Sequence, residues 1–212
     1  MTRQVIAVLD YGIGNLHSAQ KALEKGGADA RLTADPELIA DADGVVLPGV
    51  GAFGACMGAL RDAGLEGPTL AAVESGRPFL GICVGMQMLF SRSEEDADAT
   101  GLGVIPGTVE WIPPTEGFKI PQMQWNRLDV QLPDDPMFAG LGDDAWVYFV
   151  HSLHGVPDDV STVAATVEYG VPLNAAFRQG NVFAAQFHPE KSSKPGLRLL
   201  SNFVEVCRDR AG

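Results

Sequence analysis

The sequence predicts an α/β protein: an open sheet, mainly parallel at its centre with added antiparallel strands, and helices on both faces. Two observations predict it. Before Ser91, short runs that are apolar throughout alternate with helical patterns, and strands buried on both faces between helices belong to parallel sheets. After Ser91, prolines and turn residues become frequent and strand-like runs recur at hairpin spacing, which predicts an antiparallel or mixed layer extending the first sheet.

Val5–Leu9 has no polar residue and reads as a strand buried on both faces. Residues 17–25 are amphipathic and end at Gly26-Gly27, a helix stop. Residues 30–32 fit a short strand, and 44–47 another, closed by Pro48-Gly49. Residues 53–63 and 69–75 have helical patterns, and 79–82 is the next strand. The acidic stretch 93–98 reads as a solvated loop. Beyond it, 104–112, 128–132, 146–150, 162–167, 173–178 and 182–187 read as strands. A last helix covers 195–208, with Pro195 in its first turn. No repeat or linker divides the chain, so residues 1–212 are read as one domain.

Hydrophobic residues make up 46% and charged residues 20%, the balance of an ordinary globular protein. The formal charge is −12, with no Lys/Arg-rich run, which argues against nucleic acid as the main ligand because phosphate binding needs clustered cations. No run approaches the roughly 18 apolar residues of a membrane span. Met1-Thr2-Arg3-Gln4 leads into the first strand without the apolar core of a signal peptide. The 3 cysteines, Cys56, Cys83 and Cys207, are widely spaced and without CxxC pairing. Neither a disulfide framework nor a metal site is expected, and a reducing, cytoplasmic location fits best. Cys56 and Cys207 sit in helical patterns and read as inert packing residues.

Gly81-Ile82-Cys83-Val84-Gly85 follows an apolar run and precedes a helical pattern with Met86, Leu89 and Phe90 apolar. Strand, Gly-x-Cys-x-Gly and helix make the cysteine form of the nucleophile elbow. The sharp turn needs small residues two before and two after the nucleophile, and the sulfur then projects at a helix N-terminus that favours thiolate. A thiolate that attacks a carbonyl needs a base, an orienting group and oxyanion donors. His188 in Phe187-His188-Pro189-Glu190 ends a strand, where an open α/β sheet places its site, and Pro189 turns the chain so that Glu190 can hold the imidazole. His17 reads as a helix-face residue, whereas His151 and His154 could line the same cleft. Pro48-Gly49-Val50-Gly51-Ala52-Phe53-Gly54 has GxGxxG spacing, a weak dinucleotide signal when it follows the third strand; an oxyanion strand suits the cysteine chemistry better.

Together, Pro48-Gly49-Val50-Gly51, Gly81-Ile82-Cys83-Val84-Gly85-Met86-Gln87 and Phe187-His188-Pro189-Glu190 closely resemble the class I (triad) glutamine amidotransferases. Within that family the chain is similar to the glutaminase subunits of imidazole glycerol phosphate synthase, through Asp10-Tyr11-Gly12-Ile13-Gly14-Asn15-Leu16, Tyr148-Phe149-Val150-His151-Ser152 and His188-Pro189-Glu190-Lys191-Ser192. The resemblance runs from about residue 4 to residue 206. It implies a flavodoxin-like fold and hydrolysis of L-glutamine without a cofactor. Cys83 would be the nucleophile, His188 the acid and base, and Glu190 its orienting partner. Val50 and Val84 would donate to the oxyanion, while Gly49, Gly51, Gln87, Glu95, Ser152 and Leu153 would surround glutamine.

The resemblance also implies a heterodimer with a (β/α)8-barrel cyclase subunit of imidazole glycerol phosphate synthase, which takes up the ammonia in histidine biosynthesis. Asn15, Gln122, Gln124, Trp125 and Lys191 would face that partner, and the isolated chain would have weak or absent activity. Two departures stand out. The family usually reads Lys-Ile-Pro-His-Met-Gly-Trp-Asn where this chain has Gln122 and Gln124, and Tyr is common where this chain has Leu153. Other readings share the elbow: a glutaminase serving anthranilate or pyridoxal phosphate synthesis, a γ-glutamyl peptidase, or a non-catalytic partner-binding regulator. The first lacks the 10–16 and 148–152 patterns, and the last is expected to lose Cys83, His188 or Glu190, all present here.

Overall fold

A computed structural model describes residues 3–210; Met1 and Thr2, read in the sequence as the lead into the first strand, lie outside the described residues. The first half alternates as expected: β1 (Val5–Leu9), α1 (Leu16–Lys25), β2 (Asp29–Thr33), α2 (Pro36–Asp41), β3 (Gly44–Gly49), α3 (Phe53–Asp62), α4 (Glu66–Glu74), β4 (Phe79–Cys83) and α5 (Val84–Gln87). The second half is mostly strands: β5 (Phe90–Ser93), β6 (Asp96–Thr100), β7 (Ile105–Trp111), β8 (Gln122–Arg127), β9 (Asp129–Val130), β10 (Trp146–His151), β11 (Leu153–Pro157), β12 (Val163–Glu168), β13 (Pro172–Gln179) and β14 (Val182–Ala185), before α6 (Ser193–Arg210).

The main sheet runs β2-β1-β3-β4-β14-β13-β12-β9. From β2 to β14 neighbours are parallel, and β13, β12 and β9 add antiparallel strands at one side. Every residue of β3 and β4 is buried, as a central strand covered on both faces requires. Each aliphatic side chain fully buried there, such as Val45, Val46 and Leu47, contributes about 1.5–3 kcal/mol of transfer free energy. Two registers place the chemistry: Gly49 of β3 pairs with Cys83 of β4, and Ala185 of β14 pairs with Ile82. The chain segments after β3, β4 and β14 therefore emerge side by side at one edge of the sheet. Among the described residues no helix is long and apolar enough to cross a membrane.

Extension of the first sheet covers only part of the second half. β10 pairs with β8 as a separate two-stranded sheet, and β11-β7-β5-β6 form a four-stranded one. The acidic stretch 93–98 is not a loop: β5 and β6 pair through it as an antiparallel hairpin. β6 and β8 escape detection in the sequence because both are largely solvated, so their alternation marks no buried face. The short helix α2 buries only Ile39, although its start is marked by Asp35, whose side chain caps Glu37 N, followed by Pro36.

Candidate active site

Cys83 sits at φ 55° and ψ −116°, a left-handed conformation that a non-glycine residue adopts only when its surroundings enforce it. The enforcement comes from its two glycines. A Cβ at Gly85 would run into the Leu47 carbonyl oxygen, and one at Gly81 would lie 2.8 Å from Leu89 Cδ1. The helix behind the elbow is shorter than the 86–90 pattern predicts. α5 is a single turn, because the Met88 and Leu89 carbonyls accept from Leu102 N at 2.8 Å and Ile105 N at 2.9 Å and the chain turns into β5. One turn carries little macrodipole, so polarisation at the sulfur falls to its side-chain neighbours.

His188 follows β14, tied to β10 by His188 N donating to Tyr148 O at 3.0 Å. Ser192 reinforces the join: its hydroxyl donates to His188 O at 2.6 Å and accepts from Tyr148 N at 2.9 Å. In the 3₁₀ turn Pro189–Lys191, Glu190 folds back, so that His188 Nδ1 lies 2.9 Å from Glu190 Oε1. Nε2 is left to face Cys83, which lines the same cavity and favours the charged ring. Burial works against the charged ring, but Cys83 and then Glu190 outweigh it, and His188 is raised from 6.5 to about 9. The nucleophile comes from one chain segment, and its proton carrier and orienting carboxylate from a second that β10 holds in place.

A cavity of about 340 Å³ opens onto Cys83 and His188. Of the residues expected in the site, Val50, Gly51, Val84, Gln87, Glu95, Ser152 and Leu153 all line it. A second cavity, about 390 Å³ between Arg127 and Asp143, contains none of them. Gly49 does not line this cavity; it is packed behind it, where a Cβ would lie 2.5 Å from Gly85 N and 3.0 Å from the Tyr11 hydroxyl. Glu95 reaches the site from the β5–β6 turn and caps α3, accepting from Phe53 N at 2.7 Å.

His151 also lines the cavity, but its ring is engaged elsewhere. Nδ1 donates to Leu153 O at 2.7 Å, which pins the Ser152-Leu153 turn, and Nε2 lies 2.7 Å from the Gln122 side-chain amide. Burial lowers His151 to about 4, so the ring stays neutral and cannot replace His188 as the charged partner of Cys83. His154 is buried away from the cavity, and His17 is exposed on α1 as expected.

The residues expected at a partner face divide. Gln122 is fully buried against His151, so its expected place on the surface is corrected: the first residue of β8 points inward and supports the site. Gln124 and Lys191 are exposed, and Trp125 is 43% exposed while its ring packs near Tyr148. Asn15 is part-buried and donates to Glu190 Oε1. Two residues escaped the sequence reading. Gln186, fully buried, accepts from Gln87 Nε2 at 3.1 Å and directs its own Nε2 at Cys83 Sγ across 3.9 Å. Its signal was the one amide in the apolar run 182–187. Cys56, read as inert packing, is buried but donates to Val50 O at 3.2 Å.

Residues 7–207 match the family Glutamine amidotransferase class-I. The imidazole glycerol phosphate synthase subunit HisH of Synechococcus elongatus is 53% identical over 200 residues, covering 94% of this chain and 92% of that protein. The subunit of the same name from Syntrophotalea carbinolica is 52% identical over 207 residues, covering 95% of this chain and 100% of that protein. Among solved structures, a glutamine amidotransferase superposes with a TM-score of 0.73 at 25% identity, covering 96% of this chain and 98% of the other.

Proposed function

The chain belongs to the class-I glutamine amidotransferase family, and from that premise we propose that it is the glutaminase subunit of an imidazole glycerol phosphate synthase. In this reading it hydrolyses L-glutamine to glutamate and ammonia and hands the ammonia to a cyclase subunit, in histidine biosynthesis. The observation that carries it is the Cys83 elbow facing the His188–Glu190 pair across a cavity with room for a small ligand.

The chemistry follows from the protonation states. With His188 raised to about 9, the imidazole is protonated at neutral pH and stands beside Cys83 as its counter-ion and acid. The Cys83 sulfur attacks the side-chain amide carbon of glutamine. Negative charge builds on the amide oxygen, for which the N–H groups of Val50 and Val84, the first residues after β3 and β4, are the candidate donors. His188 Nε2 gives its proton to the leaving nitrogen, and ammonia departs from a γ-glutamyl thioester on Cys83. The neutral imidazole then takes a proton from water, which attacks the thioester carbon and releases glutamate and the Cys83 thiolate. Glu190 keeps Nδ1 protonated throughout, so Nε2 is the nitrogen that cycles. Gln87 and Glu95 supply acceptors for the substrate ammonium, and the turn pinned by His151 offers backbone to its carboxylate.

The partner reading draws support from the outer face of β8. Met123 is 62% exposed and Trp125 43%, next to the cavity edge formed by Pro121 and Val150, and such aromatic anchors are typical of protein interfaces. The deciding measurement is glutamate formation from glutamine by this chain, with and without a matching cyclase subunit and its nucleotide ligand, with Cys83→Ala as control. The expected result is weak activity alone, strong stimulation in the complex, and none in Cys83→Ala. Association of the two subunits without stimulation would count against the proposal.

A further inference from the structure

Two buried donors bracket a single peptide of the segment beside Cys83. The Tyr11 hydroxyl, from the loop after β1, donates to Pro48 O at 2.6 Å. The Cys56 thiol, from the first turn and a half of α3, donates to Val50 O at 3.2 Å. Between these two carbonyls lies the Gly49–Val50 peptide, whose N–H is the Val50 oxyanion donor of the reading above. Sideways movement is closed to it, because Gly49 is packed so tightly that even a Cβ would lie 2.5 Å from Gly85 N.

The clamp is itself fixed. Tyr11 and Cys56 are both buried and adjoin one another, and burial pushes both groups up, so each keeps the proton it donates. The helix that carries Cys56 is anchored at its first residue, where Phe53 N donates to Glu95 Oε2. Opposite chain segments therefore hold the carbonyls before and after the peptide, and the close fit at Gly49 confines the peptide between them.

We infer that Tyr11 and Cys56 are positioning residues for the oxyanion donor: by fixing the Pro48 and Val50 carbonyls they orient the Gly49–Val50 peptide relative to Cys83. The inference rests on the glutaminase reading. Its test uses Tyr11→Phe, Cys56→Ala and Cys56→Ser in complex with the cyclase subunit and its nucleotide, with kcat and KM for glutamine measured separately. Alkylation of Cys83 by iodoacetamide, located by mass spectrometry, supplies a readout in which no oxyanion forms. Tyr11→Phe and Cys56→Ala are each expected to lower kcat about three- to tenfold, the worth of one neutral hydrogen bond. KM and the alkylation rate should stay within about twofold of wild type, and Cys56→Ser, which keeps a donor, should recover most of the loss. An active wild type with kcat unchanged in both variants would overturn the clamp alone, as would alkylation falling in step with kcat. A wild-type complex inert towards glutamine would instead remove the glutaminase reading on which the clamp rests.

Discussion

Asn15 Nδ2 and His188 Nδ1 meet at the same oxygen, Glu190 Oε1, at 3.4 and 2.9 Å, while Glu190 Oε2 is buried without a partner. The loop after β1 thus shares an acceptor with the imidazole. Glu190 is one of the two groups that hold His188 at about 9 against the opposing effect of burial. Replacing Glu190 by Gln removes that charge while keeping the shape, so the His188 midpoint should fall below about 9. Asn15→Ala should move it less, since Asn15 acts only through the carboxylate. An NMR titration of the His188 Cε1–H resonance reads both shifts, and a midpoint unmoved in Glu190→Gln would show that Cys83 alone sets it.

The same linkage has an opposite sign at His151. Its folded value is lowered from 6.5 to about 4 by burial, so its stabilising contribution is present above pH 6.5 and is lost as pH falls through about 4. The loss is on the order of 3 kcal/mol, the free-energy equivalent of the shift. His154, also held down by burial, adds to the trend. Thermal unfolding between pH 7 and 4 should therefore show a steep fall in wild type and a shallower one in His151→Asn. Equal slopes in the two proteins would mean that acid sensitivity lies elsewhere.

Gln186 links substrate side and nucleophile. With Gln186→Leu, the Gln87 amide loses its buried acceptor and the Cys83 sulfur loses a facing donor. Stability should fall by about 1–3 kcal/mol and kcat/KM by about tenfold. Gln186→Glu should impair turnover further, because it sets a carboxylate beside the developing thiolate. Paired unfolding and glutaminase measurements separate the two effects; a Gln186→Leu enzyme with unaltered kcat/KM would reduce Gln186 to packing.

The residues that were legible in the sequence are those whose chemistry and local geometry coincide. Cys83 needs glycines at fixed offsets, and Glu190 reaches His188 within one turn, so both can be read over a few positions. The parallel centre was legible for a similar reason, since β1, β3 and β4 are apolar without interruption. What was not legible depends on contacts distant along the chain. Gln122 reads as a surface residue until β8 pairs with β10 and sets it opposite His151. Gln186 and Cys56 gain meaning only when β14 and α3 are packed beside Cys83 and Val50. The β5–β6 hairpin was hidden because an edge strand of alternating Asp and Ala buries almost nothing, and burial is what hydrophobic patterning records.

Glycine substitutions offer a direct comparison between a position that needs glycine and one that does not. Gly85 lies where a Cβ would enter the Leu47 carbonyl of the neighbouring strand, which has no flexible side chain to yield. Gly85→Ala must therefore open β3 from β4 or flatten the Cys83 turn, and it should cost about 3 kcal/mol or more. Gly58, inside α3, faces open space: a Cβ there would have nothing within 4 Å. Gly58→Ala should stabilise by about 0.5–1 kcal/mol, through the lower entropy of the unfolded chain and better helix propensity. Chemical denaturation of the two variants tests the contrast, with Cys83 alkylation following the elbow itself. If Gly85→Ala unfolded at the wild-type midpoint with an equally reactive Cys83, steric enforcement of the elbow by Gly85 would be wrong.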